Sequence, residues 1–572
     1  MEKRALIAIA LSVAVLLAWQ AWFGASPQSP PPRGPGGPAA PEPISPAGGT
    51  GAPPGGTNVP TAVPRAPVPE TAAAVTEIVT PLYRASLAAD GSVTAWIIEY
   101  RGKKPLAVGG PLRPLAVAVQ PAGGSPELVA LHPEQGRVVV ERGQPPARVR
   151  FTGATADGMR LERTLEIRPD SYRIGASVQV DAGNRVRGPF DLVVYWATPV
   201  TLPGGPASAP IVTVGEQRTT GQHLLGRILI DHPGRDPIVF EPPAPALRNG
   251  QPGSVGAPEL KDPHLVPAAV VTGDGRWTAL EDDYFIAALI PRSPAALTRG
   301  RASDVAQVGV VFQGVQVAPG QPWRGTGELY VGPKEWDRLR SLGVGLEAAQ
   351  ARNYGHFLWA LFPMWWFCVP LLWVMNFFGT WLPGQNYGVA IILLTVLVKL
   401  AFYPLSLKSM RSMKQMQALQ PQLNTLRSKY RSDPQRFQRE QMELFRKHRV
   451  NPMGGCLPMV VQIPIFYALY LTLQYSVELQ GAPFFLWITD LSKKDPYYVL
   501  PILMGISMLV QQRMTPTTAD PRQAQIMLIM PVIFTFMFLE FPTGLVLYWL
   551  VNNVLSILQQ YMIDRTARLA KA

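Results

Sequence analysis

Tyr387-Gly-Val-Ala-Ile-Ile-Leu-Leu-Thr395-Val-Leu-Val-Lys399-Leu-Ala-Phe-Tyr-Pro-Leu405, with the basic segment that follows it, decides how this 572-residue chain is laid out. The stretch is long enough to cross a hydrocarbon core of about 30 Å at about 1.5 Å per residue. Behind it, Ser406 to Pro452 carries eleven Lys or Arg against three acids, and the positive-inside rule assigns that segment to the cytoplasm. Further apolar stretches run from His356 to Gly379, Met453 to Val477, Tyr497 to Gln512, Gln523 to Phe541 and Thr543 to Ile563. If the chain before position 355 lies outside the membrane, an odd number of crossings must separate it from the basic segment. One of the first two stretches therefore does not span. His356 to Gly379, rich in Trp and Phe, is expected to be an interfacial helix, which leaves five core spans.

The N-terminal part supports the external placement. Ala5 to Gly24 is apolar behind Lys3 and Arg4, and it ends in Trp22-Phe23-Gly24 rather than in the small residues of a cleavage site, so a retained anchor is expected rather than a cleaved signal peptide. Ser26 to Glu70 holds 15 prolines and 8 glycines in 45 residues and reads as a stiff disordered tether. From about Val75 to Pro333, apolar and polar residues alternate, as in Met159-Arg-Leu-Glu-Arg-Thr-Leu-Glu-Ile, with Gly and Pro breaks; this predicts a large β-sandwich of antiparallel strands. Lys334 to Asn353 reads as a helix returning to the bilayer. The expected organisation is an anchor (1–24), a linker (25–74), an all-β domain (75–340), connecting and interfacial helices (341–380), a helical membrane core (381–565) and a short cytoplasmic tail (566–572).

Composition narrows the chemistry. The chain is 47% apolar with a formal charge of +13, and fifteen of its 17 methionines lie after position 355, so its two halves suit different surroundings. Two cysteines, Cys368 and Cys456, and six scattered histidines offer no metal or redox site, and no nucleotide-binding or hydrolase motif occurs. No cofactor and no enzymatic activity are expected.

Lys399 is the residue that demands an account. A lysine deep in a bilayer costs about 2.5 to 3.5 kcal/mol, and its stem cannot snorkel the whole way to the interface. Thr395 shares its helix face; Gln462, Asn552 and Asn553 fall in the spans, most of these polar residues in the cytoplasmic half. The pattern implies a wet groove open to the cytoplasm and closed outside, in which an unpaired cation attracts acidic segments. The basic segment should fold as a helical hairpin: Met416, Leu419, Leu423, Leu426 and Tyr430 recur at helical spacing. Asp433-Pro434 starts a second helix bearing Phe437, Met442, Leu444 and Phe445. Its charges suit anionic lipids or an RNA-bearing partner equally.

Asn451-Pro-Met-Gly-Gly-Cys456-Leu-Pro, Gln462-Ile-Pro-Ile-Phe, Ala482-Pro-Phe-Phe-Leu-Trp, Asp495-Pro-Tyr-Tyr-Val-Leu-Pro and Phe541-Pro-Thr-Gly-Leu-Val-Leu-Tyr-Trp occur in that order. Over residues 350 to 565 the chain resembles the YidC membrane-protein insertases, in the form that carries a large periplasmic domain in bacteria with two membranes. The resemblance implies an inner-membrane insertase and chaperone for nascent membrane proteins, acting alone or with the Sec translocon. It also implies contact of the hairpin with the ribosome or a targeting factor. It places Lys399 at the basic position of the hydrophilic groove, where many relatives carry Arg, and Thr395, Gln462 and Trp549 along its wall, with Tyr548 beside Trp549. The rival readings are a small-solute transporter with a periplasmic receptor domain, which predicts inverted repeats or an intramembrane acid, and an envelope scaffold, which leaves Lys399 unexplained.

Overall fold

The computed structural model describes residues 76–106, most of 114–199, 275–301, 305–357, 362–430, 433–448, 457–514 and 521–569, with short strands in between. The expected anchor, residues 5–24, and the motif at 451–456 lie outside the described residues, as does the linker except for one piece. That piece corrects the reading of 25–74 as wholly unstructured: Ala62–Pro64 is an edge strand paired antiparallel with Leu265–Thr272. Pro64, which has no N–H to donate, is tolerated there because an edge strand is hydrogen-bonded on one side only.

The β-rich region is built as the alternation requires: three large sheets, of nine, seven and five strands, contribute to one buried apolar core. In Arg160–Ile167 every second residue is buried, and the strand pairs antiparallel with Ala147–Ala154 and Arg173–Asp181. One of the inward positions is Arg163, which donates to the Leu115 and Gly91 carbonyls, with its guanidinium 4.5 Å from the Phe151 ring centre. A buried charge is tolerable only with such partners. Tyr83 stacks on Trp96, which meets Trp196 edge-on at 5.8 Å and joins the five-stranded sheet to the seven-stranded one.

The expected helix over 334–353 is two short helices, α1 (Trp336–Ser341) and α2 (Ala348–Tyr354). Gly343 and Gly345 between them have φ of 69° and 76°, a conformation that ends a helix and that glycine adopts without strain. The bend brings Arg352 of α2 back to the strand Thr278–Glu281. There Glu281, fully buried, accepts from Lys334 at 2.6 Å and Arg352 at 2.6 Å and lies 3.3 Å from Arg227.

α3 (Trp365–Trp381) buries Cys368, Leu372, Met375 and Gly379 and exposes Trp366, Trp373, Phe377 and Trp381. Its outer face is aromatic rather than polar. The helix begins with Trp365 stacked on Trp336 of α1 and ends with Gly379 packed on Tyr387, above which the guanidinium of Arg101 sits at 4.3 Å. Both ends of α3 thus touch residues held by the β-rich region.

α4 (Tyr387–Ala418) has 32 residues and a length of about 48 Å, and among the described residues it is long and apolar enough to cross a membrane. The helix runs on without a break through Pro404 and past Ser406 into the basic segment. Then come α5 (Gln420–Lys429), α6 (Pro434–Lys447), α7 (Leu457–Tyr475), α8 (Val499–Met514), α9 (Pro521–Phe538) and α10 (Thr543–Leu569). The last extends into the expected tail. α10 packs on α4 and α8, α9 on α8, and α3 on α4 and α7. The hairpin forms as its spacing requires: Leu419 and Phe445 are buried against Met416 and Leu423, and Asp433 accepts the Arg436 N–H at 3.0 Å as an N-cap. Met442, on the second helix, is exposed.

Candidate functional site

Lys399 lies about 18 Å along α4 from its first residue. Its Nζ donates to Ser556 Oγ of α10 at 2.7 Å, and Ser556 in turn donates to the Asn552 carbonyl one turn earlier, also at 2.7 Å. The hydroxyl spends its one proton on the backbone and so presents only lone pairs to the ammonium. Among the described residues no carboxylate pairs with Lys399. The cation is half-buried, is held by a neutral oxygen, and has donors to spare.

The other expected residues divide. Asn552 joins Lys399 through its carbonyl. Tyr548 and Trp549 sit roughly two turns before Ser556 on α10, where Phe466 stacks on Tyr548 at 6.3 Å and meets Trp549 edge-on at 4.7 Å. Trp549 also packs on Phe534 and Phe538 of α9, so this cluster ties α7, α9 and α10 together on the side of Lys399 toward the start of α10. Thr395 is buried, and its hydroxyl donates to the Ile391 carbonyl of its own helix at 2.6 Å. Gln462 is exposed on α7, one turn before Phe466. Asn553 turns the other way and donates to Ser507 of α8 at 3.0 Å. Ser556 was not singled out from sequence; its spacing of four from Asn552 is the signal that could have found it.

Beyond this cluster, the loop between α7 and α8 packs against the starts of α4 and α10. Phe484 packs on Gly388 at the start of α4, where an added Cβ would fall 2.0 Å from the ring. Thr543 donates from both its N–H and its hydroxyl to the Lys493 carbonyl, and the Gly544 N–H reaches the Leu491 carbonyl at 2.9 Å. Asp495, fully buried, accepts from Trp487 Nε1 at 2.9 Å and from the Tyr497 and Leu500 N–H groups. The same end is fastened to the β-rich region: Tyr284 donates to the Gln474 carbonyl at 3.1 Å, Gln350 to the Tyr475 carbonyl at 3.3 Å, and Arg101 to the Glu478 carbonyl. Burial pushes the Glu478 carboxyl upward, with Glu335 adding to it, against hydrogen bonds that include Asn376 at 3.1 Å and Ser476 at 2.9 Å.

Asp490 gives this packing a pH limit. Burial raises its carboxyl, but the Ser492 hydroxyl, the Gly481 and Ser492 N–H groups and nearby Lys493 together hold it below the usual carboxylate range. A carboxyl held low in the folded state contributes stability that is present above its unfolded value of about 3.9 and is lost as pH falls through the folded one. Protection of the Gly481 and Ser492 amides from hydrogen exchange, relative to an unfolded chain at the same pH, is therefore expected to stay high at neutral pH and to fall below about pH 4. Unchanged protection down to about pH 2 would remove Asp490 from this role.

Against known proteins, a "Membrane protein insertase YidC" from Geobacter metallireducens is 35% identical over 601 aligned positions that cover the whole of both chains. The chain belongs to the YidC family. The family model for the 60Kd inner membrane protein matches residues 377–571, and that for the YidC periplasmic domain matches 254–374. A YidC relative from Syntrophus aciditrophicus is 50% identical over 297 residues, which cover 51% of this chain and 53% of that one; the chain spans about half the length of that relative. A solved structure described as an active YidC insertase with its first transmembrane domain resolved aligns over 88% of this chain and 94% of its own, at 18% identity and a TM-score of 0.36. The YidC periplasmic model ends at residue 374, inside α3, and the membrane model begins three residues later.

Proposed function

We propose that this chain is an inner-membrane insertase that moves polar segments of nascent membrane proteins across the bilayer through a groove open to the cytoplasm, alone or with the Sec translocon. The observation that carries the reading is Lys399: a half-buried cation on a membrane-length helix whose hydrogen-bond partner is a serine. A polar segment entering a wet groove has a shorter dry path to cross, and the cation draws in its acidic residues. The aromatic cluster and the 481–498 loop on the outer side favour closure at that end. The membrane potential then favours outward movement of a negative charge by about 2.3 kcal/mol per 100 mV.

The topology that goes with this has an external β-domain, α3 in the outer interface and five core spans. Contact of both ends of α3 with residues held by the β-rich region supports α3 lying on one side, and its exposed tryptophans suit an interface. The basic hairpin, Ser406 to Pro452, stands in the cytoplasm, where it meets anionic lipid and a ribosome or targeting factor. The test is protease protection of a short single-span substrate synthesised onto liposomes that contain only the purified chain. Protection above that of empty liposomes is expected. Protection no greater than that of empty liposomes would withdraw self-sufficient insertion and leave assistance to the translocon or solute transport.

A further inference from the structure

Asn552, Ser556, Gln559 and Ile563 recur at intervals of four, three and four residues and share one face of α10. Ser556 holds the Lys399 ammonium on this face, and further along it Lys414 of α4 donates to the Ile563 carbonyl at 3.5 Å. The face therefore follows the seam between α4 and α10 from the middle of the membrane core toward the hairpin. Between these two contacts lies Gln559. Its side chain is more than nine-tenths buried, and its Nε2 has no acceptor among the described residues. A buried amide in that condition carries a penalty that a bound acceptor would remove. One turn away, the Lys399 ammonium has three N–H donors, one of them engaged by Ser556.

We propose that Lys399, Ser556 and Gln559 form a subsite for a single carboxylate of the incoming segment, with Lys399 and Gln559 as its donors and Ser556 as the residue that positions the ammonium. This rests on the insertase reading and adds to it a specific requirement. Attraction by a mobile lysine would need only its charge, whereas this subsite needs a hydroxyl and an amide on α10. A free lysine would draw its ammonium toward the cytoplasmic water. Ser556, fixed by its bond to the Asn552 carbonyl, keeps it deep in the core, where an acidic side chain gains most from meeting it.

The test uses the full chain in proteoliposomes and two substrates that differ only in having Asp or Asn residues in the translocated tail. The readout is the ratio of their protease-protected fractions. S556A and Q559L are each expected to lower the ratio by about three- to tenfold, the range for the net loss of one ordinary hydrogen bond, and S556T, which keeps the hydroxyl and its backbone bond, is expected to restore it. S556D should abolish the preference by pairing Lys399 within the chain. A ratio unmoved by S556A and Q559L, or kept by S556D, would overturn the subsite. Reductive methylation of the detergent-solubilised chain, read lysine by lysine, gives a second measure that needs no insertion. Lys399 is expected to react several-fold faster in S556A while Lys408 does not change; equal Lys399 rates would overturn the positioning role. If the unaltered chain protects neither substrate, self-sufficient insertion fails, and the methylation rates still decide whether Ser556 holds the lysine.

Discussion

Lys399→Glu is expected to lower protease-protected insertion of an acidic-tailed substrate by about tenfold or more, while Lys399→Arg keeps most of it. The reasoning is electrostatic. Two unit charges about 4 Å apart interact by about 4 kcal/mol at an effective dielectric of about 20 and by about 1 kcal/mol in water, and a wet groove lies between these limits. Reversal turns attraction into repulsion, so even the weaker figure counts twice. Arginine keeps the charge but spreads it over a planar fork, and its bond to Ser556 must form from a different atom, so a modest loss is expected. Raising the salt should weaken the preference in the native chain, because ions that reach the groove screen over about 8 Å at physiological strength. Insertion of the acidic-tailed substrate by Lys399→Glu at the native level would exclude charge attraction as the driving contact.

Glu281→Ala is expected to destabilise the junction between the β-rich region and the membrane core by about 3–5 kcal/mol, the cost of leaving buried charges unpaired. Lys334 and Glu281 are both fully buried and 2.6 Å apart, and Arg352 and Arg227 point at the same carboxylate. Without it, Arg227 keeps Asp283 at 2.7 Å, but Lys334 has only the Asp282 carbonyl, at 3.3 Å. Burial already lowers the Lys334 pKa and Glu281 opposes that, so the variant drives it lower still. A lysine whose folded pKa lies below its unfolded value makes the unfolded state the better proton binder between the two, and stability then rises with pH across that interval. The variant should accordingly recover part of its loss in alkaline buffer. Replacing Glu281 by Gln and Lys334 by Met together should restore more than either alone. Denaturant titration of the detergent-solubilised chain, followed by tryptophan fluorescence, measures all of these. A loss under about 1 kcal/mol for Glu281→Ala would mean that water reaches the cluster.

How much of this was legible in the sequence depended on how local the signal was. Strand alternation in Arg160–Ile167 and the N-cap at Asp433 are set by neighbours a few residues apart, and both formed as read. Lys399 was legible because a single charge in an apolar stretch has few innocent explanations. Ser556 was not: it is 157 residues away from Lys399, and a serine in a helix commonly bonds to its own backbone, which this one also does. Glu281 sits at a strand end among acids that read as solvent-facing, and only the bend at Gly343 and Gly345 brings Arg352 back to it. The two glycines were visible in Ser341-Leu-Gly-Val-Gly-Leu346 and should have broken the expected helix there. Arg163 shows the same limit, since alternation reports which side a residue faces but cannot name the carbonyls that make a buried guanidinium acceptable.

The unbroken run of α4 past Pro404 has a mechanical meaning. Lys399 and Ala418 lie on one helix, about 28 Å apart along its axis, and the hairpin is bent off its far end. The hairpin and the Ser556 contact of Lys399 are therefore linked through one continuous helix backbone, so a rotation of α4 would be felt at both.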